Sequence, residues 1–489
     1  MTCMVCAALT AGAQIQRPRL VVGIVVDQMR WDYLYYYYNQ FGNGGLKRLV
    51  DEGYSCENQH LNYVPTITAI GHTSIYTGST PALNGIAGND FYLNGKKVYC
   101  CTDSTVQGVG TTSAAGQMSP HNLYATTIGD ELKLATDFKS KVISISLKDR
   151  ASILPAGHSA DAAYWFDNSV GHFVTSTYYM KQLPDWVQQF NTTNNYTPGK
   201  DIKPTNEGVT MTFKMAEAAL LNEQLGRHDV PDMLCVSVSS TDAIGHAYGT
   251  RGQENHDVYM QLDKDFAHFL SVLDKQVGRG NYLLFFTADH GGAHSPNFLK
   301  AHKIPTGGWD GENARKELNR YLDTKFGVTG DIVDDLIDNI YHIDRNLLKK
   351  TSLDYAEVKK AAVERLSDNH ELAYVVDYEN IATQTIPQAI RERIINGYNR
   401  ERTGDIIVIT RPQVLFYSFP DNYRGTSHGA WNPYDTHIPL VFMGWHISHG
   451  ATSVPTRMVD TAPTVCAMLH IQMPDACIGD AIVPVVSQK

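Results

Sequence analysis

Short apolar, β-branched runs recur along the chain, and the first of them ends abruptly on a carboxylate. Leu20–Val26 (LVVGIVV) stops at Asp27, and similar runs stand at Val142–Leu147, Met233–Val238, Tyr282–Thr287, Ile406–Ile409 and Leu440–Met443. Runs that are apolar at every position fit parallel strands covered on both faces. Between them the period changes. Val258, Leu262, Phe266, Phe269, Leu270, Leu273 and Val277 follow helical spacing, and Thr126 opens another helix ahead of Val142. This alternation predicts an α/β fold, a doubly wound and mostly parallel central sheet flanked by helices. Sheets of that kind build their sites outside the carboxyl ends of the strands.

Two stretches break the alternation. Residues 151–205 are rich in aromatics, Asn and Thr, and residues 296–403 are charged and mostly helical in pattern. Both read as insertions at the strand ends that wall the site within one catalytic domain, 18–489.

Composition narrows the function by exclusion. With 41 Lys and Arg against 51 Asp and Glu over 489 residues, the net charge is −10. No overall basic field exists to hold nucleic acid or an anionic membrane. No apolar run after the N-terminus reaches the roughly 18 residues of a transmembrane helix. Residues 1–13 read as a signal-peptide remnant: an apolar stretch leads to the small-x-small pattern Ala11-Gly12-Ala13. The expected location is therefore periplasmic or secreted. Six of the eight cysteines lie beyond that segment, an even number that permits disulfides. Cys466 and Cys477 are a candidate pair, and Cys235, within an apolar strand, reads as a buried thiol.

Several polar groups follow the strands. Asp242 and His246 stand four apart after LCVSVSST, so one helical turn brings both to the same face, where they can share a metal ion. Asp289-His290-Gly291-Gly292 closes another strand, with glycines that permit an abrupt turn. His428, before Gly429, is a further imidazole, with His437 as the alternative. Thr66 and Thr68 precede a helical pattern, where either could be a simple N-cap or a hydroxyl held in the field of the helix N-terminus. No cysteine lies in a C-x-x-C arrangement, and no C-x-P-x-R or S-x-P-x-R segment exists to make a sulfatase formylglycine.

The set resembles the alkaline phosphatase superfamily, specifically the PafA-like bacterial alkaline phosphatases that use a threonine nucleophile. The matching pieces are VVDQMRWDY, YVPTITAIGHTSIYTGSTPALNGIAGND, SLKDR, SSTDAIGHAYG, FTADHGG, SHGAW and THIPLVFMG, spread over nearly the whole chain. The resemblance implies two zinc ions, one on Asp242, His246 and His428, the other on Asp27, Asp289, His290 and Thr68. It makes Thr68 the nucleophile and turns Asn89, Lys148 and Arg150 toward the phosphoryl oxygens. No ligand set for a third, magnesium site is present.

The implied substrates are small phosphate monoesters. Lys148 and Arg150, two apart at the end of an extended strand, would project the same way. A monoester dianion keeps charge on three non-bridging oxygens, where fixed cations help most. A phosphodiesterase, nucleotide pyrophosphatase or phosphonate hydrolase on the same metal pair is the alternative.

Overall fold

The computed structural model describes residues 16–420 and 422–488, so the signal segment at 1–13 lies outside the described residues. A ten-stranded sheet organises the chain. In chain order its strands are β1 (Leu20–Val26), β2 (Tyr54–Cys56), β3 (Gly108–Val109), β4 (Val142–Ser146) and β5 (Ala162–Asp167). Then come β6 (His172–Ser176), β7 (Asp232–Val238), β8 (Tyr282–Thr287), β9 (Leu440–Gly444) and β10 (Gly450–Thr452). Their spatial order is β10-β2-β9-β8-β1-β7-β4-β5-β6-β3.

The five strands from β8 to β5 are parallel, and antiparallel pairs flank them on both sides. Every residue of β1, β7 and β8 is buried, which requires cover on both sheet faces. Helices supply it. The main ones are α1 (Thr68–Thr77), α2 (Ile128–Ala135), α3 (Asp149–Ala156), α4 (Asn206–Asn222), α5 (Ser240–Tyr248) and α6 (Gln253–Leu273). Helix α4 packs with α6, and α1 packs with α3. The helix expected to open at Thr126 is capped one residue later, where Thr127 and Asp130 form a reciprocal capping box.

Three expectations change. Residues 151–205 do not stand apart as an insertion, because β5 and β6 from this stretch extend the central sheet. The run Ile406–Ile409 is not a central strand either. It belongs to a separate four-stranded antiparallel sheet, ordered Val333–Ile337, Ile340–Ile343, Ile406–Thr410, Leu372–Asp377. That sheet, with helices Gly311–Phe326 and Tyr355–Ser367, encloses its own apolar core around Trp309, Leu322, Tyr341 and Val358. The lobe therefore runs past residue 403. Third, all six cysteines of the described residues are free thiols, Cys466 and Cys477 included, and Cys235 is buried as expected.

Among the described residues no helix is long and apolar enough to cross a membrane.

Candidate functional site

Parallel register lines up the strand ends. Val26 pairs with Val238, Val25 with Thr287, and Ser237 with Ser146, so the segments leaving β1, β7, β8 and β4 emerge along one edge. Asp27 follows β1, Asp242 lies in the first turn of α5, and Asp289 comes two residues after β8. His246 is one turn further along α5, with its Nε2 at 3.0 Å from Asp242 Oδ1. His428 arrives from the loop that follows the lobe, and its Nε2 stands 3.7 Å from the same oxygen.

The donor atoms converge as two groups that share His290. Asp242, His290 and His428 offer atoms within 4.8 Å of one another, and so do Asp27, Asp289 and His290. The His290 and His428 rings stack at 3.5 Å. Each imidazole donates its Nδ1 proton to a backbone carbonyl: His246 to Thr426 at 2.9 Å, His290 to Gly291 at 2.9 Å, His428 to Thr66 at 2.6 Å. A carbonyl can only accept, so in the neutral ring each Nε2 keeps a free lone pair.

Three atoms at the centre have no hydrogen-bond partner although they are buried: Asp27 Oδ1, Asp289 Oδ2 and His290 Nε2. Burial, then the charges of Asp242 and Asp289, push the Asp27 carboxyl well above its usual range. For Asp242, burial would raise the carboxyl, but His246 and Lys148 hold it well below. Burial, then His290 and His246, drive His428 down, which keeps it neutral. Crowded carboxylates, clustered imidazoles and orphaned donors fit divalent cations, and the mixed N/O set suits zinc rather than an oxygen-only calcium cage.

Thr68 begins α1, and that helix end is seated on Asp289. A methyl group on Gly71 would fall 2.5 Å from the Asp289 carbonyl oxygen, so only glycine lets the helix come this close. His72 links the two: its Nδ1 is 2.9 Å from the Thr68 carbonyl and 3.3 Å from Asp289 Oδ2, and its Nε2 contacts Ser237 Oγ at 2.7 Å. Asn89 Oδ1 accepts the Ala69 N–H at 3.1 Å, which places this amide beside the same helix end.

Lys148 and Arg150 depart from the extended-strand expectation. β4 ends at Ser146, whose hydroxyl accepts the Lys148 N–H, and the chain turns into α3 with Lys148 at its N-cap. The two side chains consequently diverge. Lys148 Nζ bridges Asp27 Oδ2 at 2.5 Å and Asp242 Oδ2 at 2.7 Å. Arg150 donates Nη1 to the Tyr99 hydroxyl at 3.1 Å, and its buried Nε has no partner.

His437 is not at the centre. It stacks between Trp31 and His60 and contacts the Glu57 carbonyl. Sequence reasoning missed Gln28, which donates Nε2 to Asp242 Oδ1 at 2.7 Å and its backbone N–H to Asp289 Oδ1 at 3.1 Å. It also missed His72 and Tyr99. Gln28 and His72 stand inside the quoted motifs, but neither spacing nor residue type marks them.

A parallel sheet whose carboxyl edge gathers two donor groups beside a helix N-terminus defines an α/β protein with a donor set suited to metal ions. Residues 21–431 match the family described as type I phosphodiesterase / nucleotide pyrophosphatase. Alkaline phosphatase PafA of Elizabethkingia meningoseptica is 45% identical, over 97% of this chain and 95% of that protein. A Myroides odoratus protein named calcium-transporting ATPase is 44% identical over 100% and 98%, and alkaline phosphatase PhoV of Synechococcus elongatus 43% over 96% and 93%. The crystal structure of wild-type PafA superposes with a TM-score of 0.92 over 96% of this chain and 99% of that one. The chain belongs to the type I phosphodiesterase / nucleotide pyrophosphatase family, within the PafA-like branch of the alkaline phosphatase superfamily.

Proposed function

We propose that this protein is an alkaline phosphatase that hydrolyses phosphate monoesters to alcohol and inorganic phosphate, at a two-zinc site and through a phosphothreonine on Thr68. The observation that carries the reading is the trio of buried donors without a hydrogen bond, Asp27 Oδ1, Asp289 Oδ2 and His290 Nε2, converging on one centre. Bound there, zinc would stabilise an alkoxide and the charge of a departing oxygen. The ligands would be Asp242, His246 and His428 for one ion, and Asp27, Asp289, His290 and Thr68 for the other.

The chain's own residues do the rest. Thr68 Oγ1 gives its proton to solvent and forms a bond to phosphorus as the bond to the alcohol oxygen breaks, and the departing alkoxide takes a proton from solvent to leave as the alcohol. Its position at the first residue of α1 puts the backbone N–H groups of the helix start near the developing charge. Asn89 is tied to the same helix end and orients the phosphoryl group. Lys148 and Arg150 supply the fixed cations that a dianionic ester needs and a diester needs less. Water then cleaves the phosphothreonine, and the hydroxyl is regenerated.

Relatives named alkaline phosphatases, covering nearly all of this chain, support the monoester reading. The family description keeps phosphodiester hydrolysis as the alternative. A periplasmic or secreted location belongs to the same reading and rests on the small-x-small pattern at Ala11-Gly12-Ala13.

Acid quenching during turnover of an aryl phosphate, followed by peptide mass spectrometry, tests the covalent step. Phosphate should appear on the peptide containing Thr68 and be absent from Thr68→Ala, whose turnover should fall by roughly a thousandfold or more. Lys148→Ala with Arg150→Ala should cost monoesterase activity far more than diesterase activity. A wild type that turns over aryl diesters faster than monoesters would favour the alternative.

A further inference from the structure

One hairpin brings the inserted lobe down to the site. Its tip, Asp338-Asn339, joins the strands Val333–Ile337 and Ile340–Ile343, and both residues hold left-handed backbone, φ 48° and 69°. Beneath it lies a cavity of about 460 Å³ lined by Asn89, His428 and Gly429 below and by Asp338, Asn339 and Phe416 above. The tip sits close to both sides of the centre. A methyl group on Gly429, next to His428, would lie 3.5 Å from the Phe416 ring and 3.7 Å from the Asn339 amide. One on Gly88, next to Asn89, would lie 2.9 Å from Asp338 Oδ2. The cavity therefore opens directly beside Asn89 and His428.

The lining is acidic and aromatic. Asp310, Glu312 and Asp338 face the cavity, and among the described residues no lysine or arginine does. Two of the three carboxylates are occupied. Asp310 caps the helix Gly311–Phe326 by accepting the Asn313 N–H, and Glu312 pairs with Arg315 at 3.1 Å. Asp338 has no such partner: its Oδ2 is buried without a hydrogen bond. Burial, then Asp90, push its carboxyl up to about 7, as expected of an acid lacking a counter-ion. The cations that act on it, Lys97 and Arg150, are engaged by Asp335 and Tyr99. Asn339, 8% exposed, has no side-chain hydrogen bond among the described residues. The cavity is thus lined by a carboxyl group without an ion-pair partner and an amide without a side-chain hydrogen bond, beside an aromatic ring.

We propose that this pocket receives the alcohol portion of the substrate and selects phosphomonoesters of amino alcohols, with Asp338 and Phe416 as the specificity-determining residues. An ammonium or quaternary ammonium group attracted to a ring face and to an unpaired carboxylate meets both features at once. An alcohol carrying its own carboxylate or second phosphate meets repulsion. The inference rests on the phosphomonoesterase reading, and it adds the class of leaving group.

Three substrates separate the two. Choline phosphate and its uncharged isostere 3,3-dimethylbutyl phosphate share shape and alcohol type, and phenyl phosphate reports monoesterase activity alone. In the wild-type enzyme kcat/KM for choline phosphate should exceed that for the isostere by roughly tenfold at low salt, an advantage that shrinks as ionic strength rises. In Asp338→Asn the ratio of the two should fall toward one, whatever happens to the individual rates. If that variant is not folded by thermal melting, the salt dependence in the wild type decides by itself. A wild-type ratio near or below one, or a ratio that Asp338→Asn leaves intact, overturns the leaving-group inference. No phosphate release from any of the three, phenyl phosphate included, would instead strike the function proposed above.

Discussion

Thr66 has no place in any ligand set, yet it fixes the loop that carries His428. Its carbonyl accepts the His428 Nδ1 proton, while its hydroxyl donates to the Ala430 carbonyl at 3.1 Å and accepts the Gly429 N–H at 2.9 Å. Partners of this kind orient a ligating imidazole and hold its tautomer. Thr66→Val keeps the carbonyl but loses both hydroxyl bonds, so the loop gains freedom. Zinc affinity, measured by competition with a chelator, should drop about 10–100-fold, while a variant unchanged from wild type would mean the loop is held by other contacts. At this scale the sequence was partly legible. Asp27, Asp242 and Asp289 stand out because each follows an apolar run, and an Asp-His step after a strand has little reason to serve packing. The choice between His428 and His437 was not legible from spacing alone. The fold brings His428 to the donor cluster and keeps His437 in a ring stack on Trp31 and His60, residues hundreds of positions away. Gln28 and Tyr99 were invisible for a similar reason, since amide and phenol groups acquire a role only from what the fold puts beside them.

Helix α1 carries the heaviest positional demand of any element. Its first residue is the candidate nucleophile, and its Gly71 touches the Asp289 backbone. Gly71→Val would force the helix away from the strand end by adding atoms where 2.5 Å is available. Thermal unfolding should show a loss of about 1–3 kcal/mol, and turnover should fall well beyond what the stability change explains, because Thr68 moves with the helix. Retained wild-type turnover would show that the close approach is incidental. The helix itself was legible, as an apolar pattern starting after Pro65. The segment after β4 was not. Lys148 and Arg150 read as an extended pair, whereas Ser146 stops the strand and a helix begins, so one cation bridges the two carboxylates and the other turns to Tyr99. The run Ile406–Ile409 shows the complementary limit. Apolarity announces a buried strand but does not say which sheet buries it, and here the lobe's own core does so.

For the whole molecule, the alternation of strands and helices was enough to anticipate the parallel centre and the edge on which the site lies. The short outer strands were harder to foresee, because β2, β3 and β10 are only two or three residues long and leave little periodicity to read. What the architecture accomplishes is electrostatic concentration. Of the three buried carboxylates at that edge, Asp27 and Asp242 share the one ammonium of Lys148, within a chain of net charge −10. Cations bound there, rather than the overall field, would draw in a phosphate ester. The most direct test is anomalous diffraction at the zinc edge from crystals of the metal-loaded, active enzyme. The account predicts two peaks, one contacted by Asp242, His246 and His428, the other by Asp27, Asp289, His290 and the Thr68 hydroxyl. A fully active protein with a single peak, or with its metal away from Thr68, would contradict it.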